Sequence, residues 1–276
     1  MPGQVEGQKV AATVYNPGPQ TYEASLVPRI FGPWAERLVD AAGLVAGERV
    51  LDVACGTGIV ARTAAGRVGP GGTVVGVDVN PAMLELARKL GGGSIEFLES
   101  NAQTLPFDDS SFDVAFCQQG LQFFEDRPAA VGEIYRVTTP RGRAVCAVWR
   151  GQDHHPAMAI VDRVMAPYLP PETLEGSDAP FWLGDINEVR SLFQGAGFSS
   201  VHIRTHINEV RFPSAKEMLN GLTGAHAPLA GAIAALDDQV REAMYRDVAE
   251  AFAGDTDDDG VMFPMSGALV VAKKQP

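Results

Sequence analysis

Residues 50–61, VLDVACGTGIVA, constrain the fold of this chain more than any other segment. Their first four letters form a short apolar run that predicts a buried strand, although the run contains one acid. Gly56 and Gly58 follow, and residues 59–67 then predict a helix. Glycines let a backbone approach a ligand closely, and the free N–H groups of a helix N-terminus are hydrogen-bond donors. The segment therefore predicts a nucleotide-binding corner.

The chain from residue 49 to residue 149 alternates predicted strands with predicted helices. Such alternation favours an α/β fold with a Rossmann-like, doubly wound and mostly parallel sheet, which we expect to have seven strands. Predicted strands cover residues 49–54, 73–78, 95–98, 112–117, 144–149, 201–212 and 263–272, and predicted helices in the alternating region cover 59–67, 81–90 and 128–137.

The flanking regions follow other patterns. Residues 1–48 predict an N-terminal arm followed by helices, since apolar side chains recur at helical spacing in 22–44. Residues 49–276 form the main predicted domain, with helical insertions at about 151–183 and 213–258. Because ligands bind beyond the carboxyl ends of strands in open α/β sheets, we expect the insertions to form a lid there.

Composition excludes several kinds of partner. The 276 residues carry 22 Lys and Arg against 34 Asp and Glu, a net charge of −12, which disfavours a nucleic-acid partner. Three scattered cysteines predict neither a disulfide framework nor a metal site. The sequence has no leader-like or membrane-spanning apolar run, so we expect a cytoplasmic protein with no membrane partner. The oligomeric state stays open, with a homodimer as one alternative.

The glycine loop fits two kinds of nucleotide. The spacing G-x-G-x-x-A, with Asp78 at the end of the next predicted strand, is typical of NAD sites. Asp52, however, would repel a pyrophosphate and suits a ligand with a cationic amino group. Polar side chains also follow the third and fourth predicted strands, at Asn101 and at Gln118. A ligand with adenosine at one end and a charged amino acid at the other, S-adenosylmethionine, fits all of these features.

The chain resembles the class I S-adenosylmethionine-dependent methyltransferases, and among them the ubiquinone/menaquinone biosynthesis C-methyltransferases. The resemblance covers residues 49–150 and rests on VLDVACGTG, GVDVNPAMLELAR, NAQTLPFDDSSFD and EIYRVTTPRGR. It implies that S-adenosylmethionine is the cofactor and that its contacts fall on matching positions. These are Asp52, Gly56, Thr57 and Gly58 around the methionine portion, Asp78 at the ribose hydroxyls, Met83, Asn101 and Ala102 near the adenine, Gln118 and Gln119 beside the methionine, and Tyr15 and Tyr22 closing from the N-terminal arm.

The substrate is expected to be a small, largely apolar metabolite methylated on O, N or C. The motifs of adenine-N6 and cytosine-C5 methyltransferases are absent from the sequence, and aromatic residues such as Trp149 and Phe181 could line an apolar pocket. The sequence leaves the catalytic residues unknown, with His154 and His155 as weak candidates for a general base. Two alternatives remain, a cyclase or isomerase that retains the bound cofactor and an NAD-dependent oxidoreductase.

Residues 255–260, DTDDDG, resemble the start of a calcium loop. Position twelve of such a loop would be Ser266, where a bidentate Glu is required. We therefore interpret the segment as an acidic surface loop.

Overall fold

A computed structural model describes residues 18–224 and 226–276, so the predicted lid residue Tyr15 lies outside the described residues. A mixed sheet forms the centre of the molecule, with strand order β3-β2-β1-β4-β5-β8-β6 and a short strand, β7, paired to β8. The strands are β1 (Arg49–Val53), β2 (Thr73–Asp78), β3 (Glu96–Glu99), β4 (Phe112–Gln118), β5 (Thr138–Trp149), β6 (Ser200–Phe212), β7 (Thr256–Asp257) and β8 (Gly260–Lys273).

Helices precede, separate and cover these strands. A short turn at Pro19–Thr21 leads into a π-helix, α1, which continues directly into α2. The helices are α1 (Tyr22–Phe31), α2 (Gly32–Ala42), α3 (Ile59–Val68), α4 (Pro81–Gly91), α5 (Arg127–Val137), α6 (Pro156–Met165), α7 (Ile186–Gly195), α8 (Ala215–Thr223), α9 (Ala227–Ala235) and α10 (Asp238–Ala251).

The first five strands run parallel, and the last long strand is antiparallel to both of its neighbours. The predicted α/β, mostly parallel architecture is therefore confirmed. β1 lies between β2 and β4, and its residues from Val50 to Val53 are buried. Burial on both faces explains why Val50, Leu51 and Val53 are all apolar instead of alternating with polar residues.

Two hydrophobic clusters cover the two faces of the sheet. On one face, side chains of α2, α3 and α4 join those of the lid helices around Trp34 and Leu38. On the other face, α5 and α7 supply Ile134 and Phe193. Both ends of the parallel strands remain open to loops, and the carboxyl ends carry the glycine corner.

The two helical insertions pack on one another. α6, from the first insertion, contacts α10 from the second, and α8 contacts both α10 and α1. Asp237 and Ser214 begin α10 and α8 by accepting hydrogen bonds from backbone N–H groups of the first turn. The insertions and α1 thus form one helical layer, which we call the lid.

The structure differs from the sequence prediction in three elements. α1 is π-helical and contains Pro28, which has no N–H to donate to the preceding turn. The predicted turn at residues 140–142 lies within β5 as a bulge, because the register moves from Phe112–Thr138 to Val114–Arg143. The sheet also has an eighth strand, β7, inside the segment predicted to be an acidic loop. Asp257 in β7 is exposed and pairs with Arg211.

None of the helices in the described part of the chain combines the length and the hydropathy that a membrane span needs. The same residues contain no group of three or more His, Cys, Asp or Glu side chains placed to hold a metal ion. The three cysteines, at positions 55, 117 and 146, are free and buried, as the sequence predicted.

Candidate cofactor and acceptor site

A cavity of about 460 Å³ lies at the carboxyl ends of β1, β2 and β4. This is the edge of the sheet where a ligand is expected in an open α/β fold. The structure places six of the predicted cofactor residues in its wall: Tyr22, Gly56, Asp78, Met83, Gln118 and Gln119.

The Asp78 carboxylate organises the glycine corner. Its Oδ2 accepts a hydrogen bond from the Gly56 N–H at 2.8 Å, and its Oδ1 accepts one from the Asn80 N–H at 2.9 Å. Burial raises the pKa of Asp78, and these backbone donors oppose the increase. The Val79 N–H also donates to this carboxylate, and since its two oxygens have four lone pairs, acceptor capacity remains. Asp78 can therefore accept hydroxyl groups of a ribose while it holds the loop.

The first turn of α4 closes the same side of the cavity. Asn80 is its N-cap, as the sequence predicted, and its Oδ1 accepts hydrogen bonds from the N–H groups of Ala82 and Met83. Met83 is buried, and its side chain lies in the cavity wall.

Thr57 and Gly58 lie in the loop but outside the cavity wall. Thr57 is buried, and its carbonyl accepts a hydrogen bond from Arg62. Gly58 faces the protein interior, where a Cβ atom would come within 2.7 Å of the Phe97 ring. In this structure both residues lie on the side of the loop that faces the protein interior, and they stabilise the shape of the loop.

Asp52 also lies behind the loop. It is buried, and its Oδ2 accepts a hydrogen bond from the Ala61 N–H at 3.0 Å, in the first turn of α3. Burial, reinforced by the neighbouring Asp78, raises the pKa of Asp52 to about 8. The structure therefore places Asp52 as an anchor between β1 and α3, not in the cavity wall where we expected a contact with the methionine portion.

Three glutamines at and beyond the end of β4 carry unpaired polar atoms. Gln118 donates from Nε2 to the Phe31 carbonyl at 3.0 Å, but its Oε1 has no partner among the described residues. Neither the amide nitrogen nor the amide oxygen of Gln119 or of Gln122 has such a partner, and all three side chains line the cavity. Buried polar groups are normally hydrogen-bonded, so these amides indicate a polar ligand.

Asn101 and Ala102 do not reach the cavity in this structure. Asn101 is exposed, and its Oδ1 accepts a hydrogen bond from the Gln103 N–H at 2.9 Å, which is a local turn contact. Ala102 is buried in the cluster that packs on α5. Their predicted place beside the adenine stays a prediction.

α1 covers the cavity from the lid side. The ring of Tyr22 stacks on that of Phe31, with centroids 4.8 Å apart, and both residues line the cavity. Glu23 forms an ion pair with Arg62 of α3 at 2.7 Å, and Arg62 also donates to the Thr57 carbonyl. α1 is thus fastened directly to the glycine loop.

A second cavity, of about 90 Å³, lies between the lid helices. Its wall is mostly apolar, with side chains from α1, α6, α8 and α9. Phe31 and Trp149 line both cavities, and their ring centroids are 6.4 Å apart. These two rings therefore stand between the polar cavity and the apolar one.

The two weak base candidates lie outside both cavities. His155 is fully buried; its Nε2 accepts from the Ser266 N–H at 3.1 Å, and its Nδ1 lies 3.1 Å from the Gly151 carbonyl. Burial lowers the pKa of His155, which favours the neutral ring. His154 faces solvent beside Arg150, with Nε2 to Nη2 at 2.7 Å. His155 therefore joins loop and strand, and neither histidine faces either cavity.

The sequence interpretation missed several residues of the wall. Phe31 was part of a predicted helix with no assigned role, although its aromatic side chain is consistent with a wall position. Ala54 and Gln119 have positive φ angles of 57° and 45°. Alanine and glutamine seldom adopt that backbone conformation, so nothing in the sequence signalled it.

This chain is similar in sequence and in fold to known proteins. Residues 51–146 match the family model of a methyltransferase domain. The chain is 32% identical over 191 residues to the demethylmenaquinone methyltransferase of Lactococcus lactis, covering 63% of this chain and 74% of that protein. It is 44% identical over 115 residues to the demethylmenaquinone methyltransferase of Thermus thermophilus, covering 41% of this chain and 52% of that protein.

A solved structure supports the fold. Haemonchus contortus phosphoethanolamine N-methyltransferase 2, in complex with S-adenosyl-L-methionine, superposes with a TM-score of 0.58 at 18% identity. The superposition covers 94% of this chain and 57% of that one.

Proposed function

Because this chain belongs to the class I S-adenosylmethionine-dependent methyltransferases, we propose that it methylates O, N or C of a small, largely apolar metabolite. The observation that carries this proposal is the pair of cavities with a common wall of Phe31 and Trp149. A polar cavity beside an apolar one suits a charged cofactor next to an apolar acceptor. Both relatives described above are named demethylmenaquinone methyltransferases, which also supports an apolar acceptor.

The residues of the larger cavity fit the cofactor. Asp78 offers acceptor oxygens to hydroxyl groups, and the unpaired amides of Gln119 and Gln122 offer donors and acceptors to an amino acid moiety. Gly56 leaves room for close approach, since a Cβ there would meet nothing nearer than the Tyr22 hydroxyl at 3.9 Å. When bound, S-adenosylmethionine supplies an electrophilic methyl group attached to a sulfonium.

The chain contributes positioning more than proton chemistry. An acceptor must lie about 3 Å from the methyl carbon and in line with the sulfur, so orientation supplies much of the rate. Phe31 and Trp149 make the boundary between the cavities aromatic, and Tyr22 stacks on Phe31 from the side of the larger cavity. A base is needed only where the acceptor carries a proton that must leave.

We also propose a cytoplasmic location. Three free, buried thiols support a reducing compartment, because an oxidising one would expose such a chain to disulfide exchange during folding.

Binding and labelling experiments test the function. We expect micromolar binding of S-adenosylhomocysteine with no binding of NAD, and transfer of label from methyl-labelled cofactor to a member of a panel of apolar metabolites. Binding of NAD in place of S-adenosylhomocysteine would contradict the proposal. Labelled cofactor that remains intact while an acceptor is cyclised or isomerised would identify the alternative activity.

Asp78→Ala tests the corner itself. Loss of hydrogen bonds to a charged group should weaken the binding of S-adenosylhomocysteine by ~1–3 kcal/mol, measured by calorimetry. Asp108→Ala is a suitable control, because Asp108 is exposed and lies outside the cavity wall. Equal affinities of Asp78→Ala and the wild type would remove Asp78 from the site.

A further inference from the structure

The apolar cavity contains one polar group whose hydrogen-bonding capacity the described residues leave open. This group is the carboxyl of Asp162, which projects from α6 into the wall. Its Oδ2 accepts hydrogen bonds from Gln152 Nε2 at 3.3 Å and from the Ser177 hydroxyl at 3.4 Å. No donor among the described residues reaches its Oδ1. One oxygen is therefore fixed by the protein, and the other remains available to a ligand.

The other polar groups of this wall are already engaged. The Thr223 hydroxyl donates to the Leu219 carbonyl at 2.7 Å. His226 accepts from the Leu229 N–H at Nδ1, at 3.2 Å, and its Nε2 lies 3.2 Å from the Glu175 carbonyl. Both of its ring nitrogens are thus satisfied by backbone groups with the ring neutral, and burial lowers the pKa of His226. Among the described residues, Asp162 is thus the side chain of this wall that has a polar atom with no hydrogen bond to the protein.

The surroundings of Asp162 lack a positive charge. No lysine or arginine of the described chain lines the cavity. Burial raises the pKa of Asp162, and the neighbouring Asp178 raises it further. Asp162 is half-buried, and a carboxylate that is partly removed from water with no cation beside it is destabilised, so a cationic ligand would stabilise it.

Aromatic rings complete the environment of the carboxyl. Phe31, Trp149 and Phe181 line the same cavity, and aromatic faces attract ammonium groups. The volume of about 90 Å³ is smaller than the roughly 150 Å³ that holds a benzene molecule. A ligand larger than a short chain must therefore extend past Phe31 and Trp149 toward the cofactor cavity.

Resting on the function proposed above, we propose that the acceptor is a small apolar molecule with a protonated amine, which Asp162 Oδ1 binds among aromatic rings. Gln152 and Ser177 orient the carboxyl for this contact. The contact sets specificity, because an analogue without the donor covers Asp162 and leaves its Oδ1 without a hydrogen bond.

A matched series of probes tests this assignment. Butylamine, n-butanol and pentane are short chains of equal length that differ only in the terminal group. We expect protein saturated with S-adenosylhomocysteine, near neutral pH, to bind butylamine at least ~10-fold more tightly than pentane, since a charged hydrogen bond is formed. The alcohol n-butanol should bind with intermediate affinity. Calorimetry measures all three constants.

Two isosteric variants locate the effect. Asp162→Asn should abolish the preference for butylamine over pentane. Asp178→Asn removes the same charge from the adjacent loop but lies outside the cavity wall, so it should keep the preference. Binding of S-adenosylhomocysteine by both variants shows that they are folded.

Three results would overturn the inference: equal affinity for butylamine and pentane, no measurable binding of butylamine, or an unchanged preference in Asp162→Asn. None of these three results bears on whether the protein transfers methyl groups. A wild-type protein that fails to bind S-adenosylhomocysteine would instead contradict the proposed function.

Discussion

Gly56 and Gly58 are two positions apart in one loop and serve opposite sides of it. Both have positive φ angles, 55° and 83°, which glycine adopts without strain. Gly56 faces the cavity and leaves space for a ligand. Gly58 faces Phe97 and lets the loop pack on β3. A single sequence motif thus combines a binding requirement with a packing requirement.

Gly58→Ala should be destabilising for two reasons. The new Cβ would lie 2.7 Å from the Phe97 ring, and alanine is strained at this φ. We expect the free energy of unfolding in urea to fall by at least about 2 kcal/mol. Gly66→Ala is the matched control in α3, where a Cβ meets nothing within 4 Å; it should raise stability by about 0.5–1 kcal/mol. Equal effects of both changes would contradict this account.

Asp52 makes stability depend on pH. The folded-state pKa of about 8 lies above the ordinary value of an aspartate, so the folded protein holds a proton that the unfolded chain has lost. Between about pH 4 and pH 8 this group therefore lowers the free energy of unfolding as pH rises, by at most ~1.4 kcal/mol per pH unit.

Asp52→Asn should remove that contribution. The amide keeps an oxygen for the Ala61 N–H and cannot ionise. Urea denaturation between pH 5 and pH 8, a range that lies between the unfolded and folded pKa of Asp52, should show that the variant gains stability over the wild type as pH rises. Asp108→Asn, at an exposed position, should give a profile parallel to the wild type. A parallel profile for Asp52→Asn would show that the Asp52 carboxyl ionises equally in both states.

At the scale of elements, two polar contacts add to the apolar packing of α1. The Arg62–Glu23 pair joins it to α3, and the Phe31 carbonyl accepts from Gln118 at the end of β4. The ion pair is mostly buried, with about a fifth of each side chain exposed. These contacts place Tyr22 and Phe31 over the cofactor cavity.

Arg62→Gln should loosen that attachment. Loss of a partly buried ion pair should weaken S-adenosylhomocysteine binding by about 1 kcal/mol, as measured by calorimetry. The control is Arg67→Gln on the same helix, because Arg67 pairs with Glu36 at about half exposure and should have little effect. If both variants bind equally, the fastening of α1 does not contribute to affinity.

At the scale of the molecule, ligand binding should stabilise the whole fold. At a concentration 100 times its dissociation constant, S-adenosylhomocysteine should add about 2.7 kcal/mol to the free energy of unfolding. For a chain of this size the Tm should rise by roughly 5 °C, measured by calorimetry. NAD at the same concentration serves as the control and should cause no shift. A shift with NAD alone would contradict the assigned cofactor.

Much of this architecture was predictable from local signals. β1 and α4 lie where apolar runs and the Asn80 cap predicted them, because burial and capping each favour particular residue types at adjacent positions. β7 has two residues and pairs with β8. A strand this short has no sequence pattern by which it could be predicted. The π-helical form of α1 depends likewise on packing across the fold.

The candidate site was predictable only in part. Asp78 and Gly56 were recognisable because strand ends and glycine loops have fixed places in such a sheet. Asp52 faces away from the cavity, since the direction of a side chain depends on register and helix contacts that the motif does not reveal. A role for Asp162 was not predicted, because a single acid on a predicted helix usually faces solvent.

The shared wall of Phe31 and Trp149 has a consequence for how donor and acceptor affect each other's binding. A ring that belongs to two cavities cannot shift for one occupant without changing the space available to the other. Any energetic coupling between donor and acceptor is therefore reciprocal, each changing the affinity of the other by the same factor. Steady-state kinetics should accordingly depart from independent binding, and substitution of either ring should bring the two affinities closer to independence.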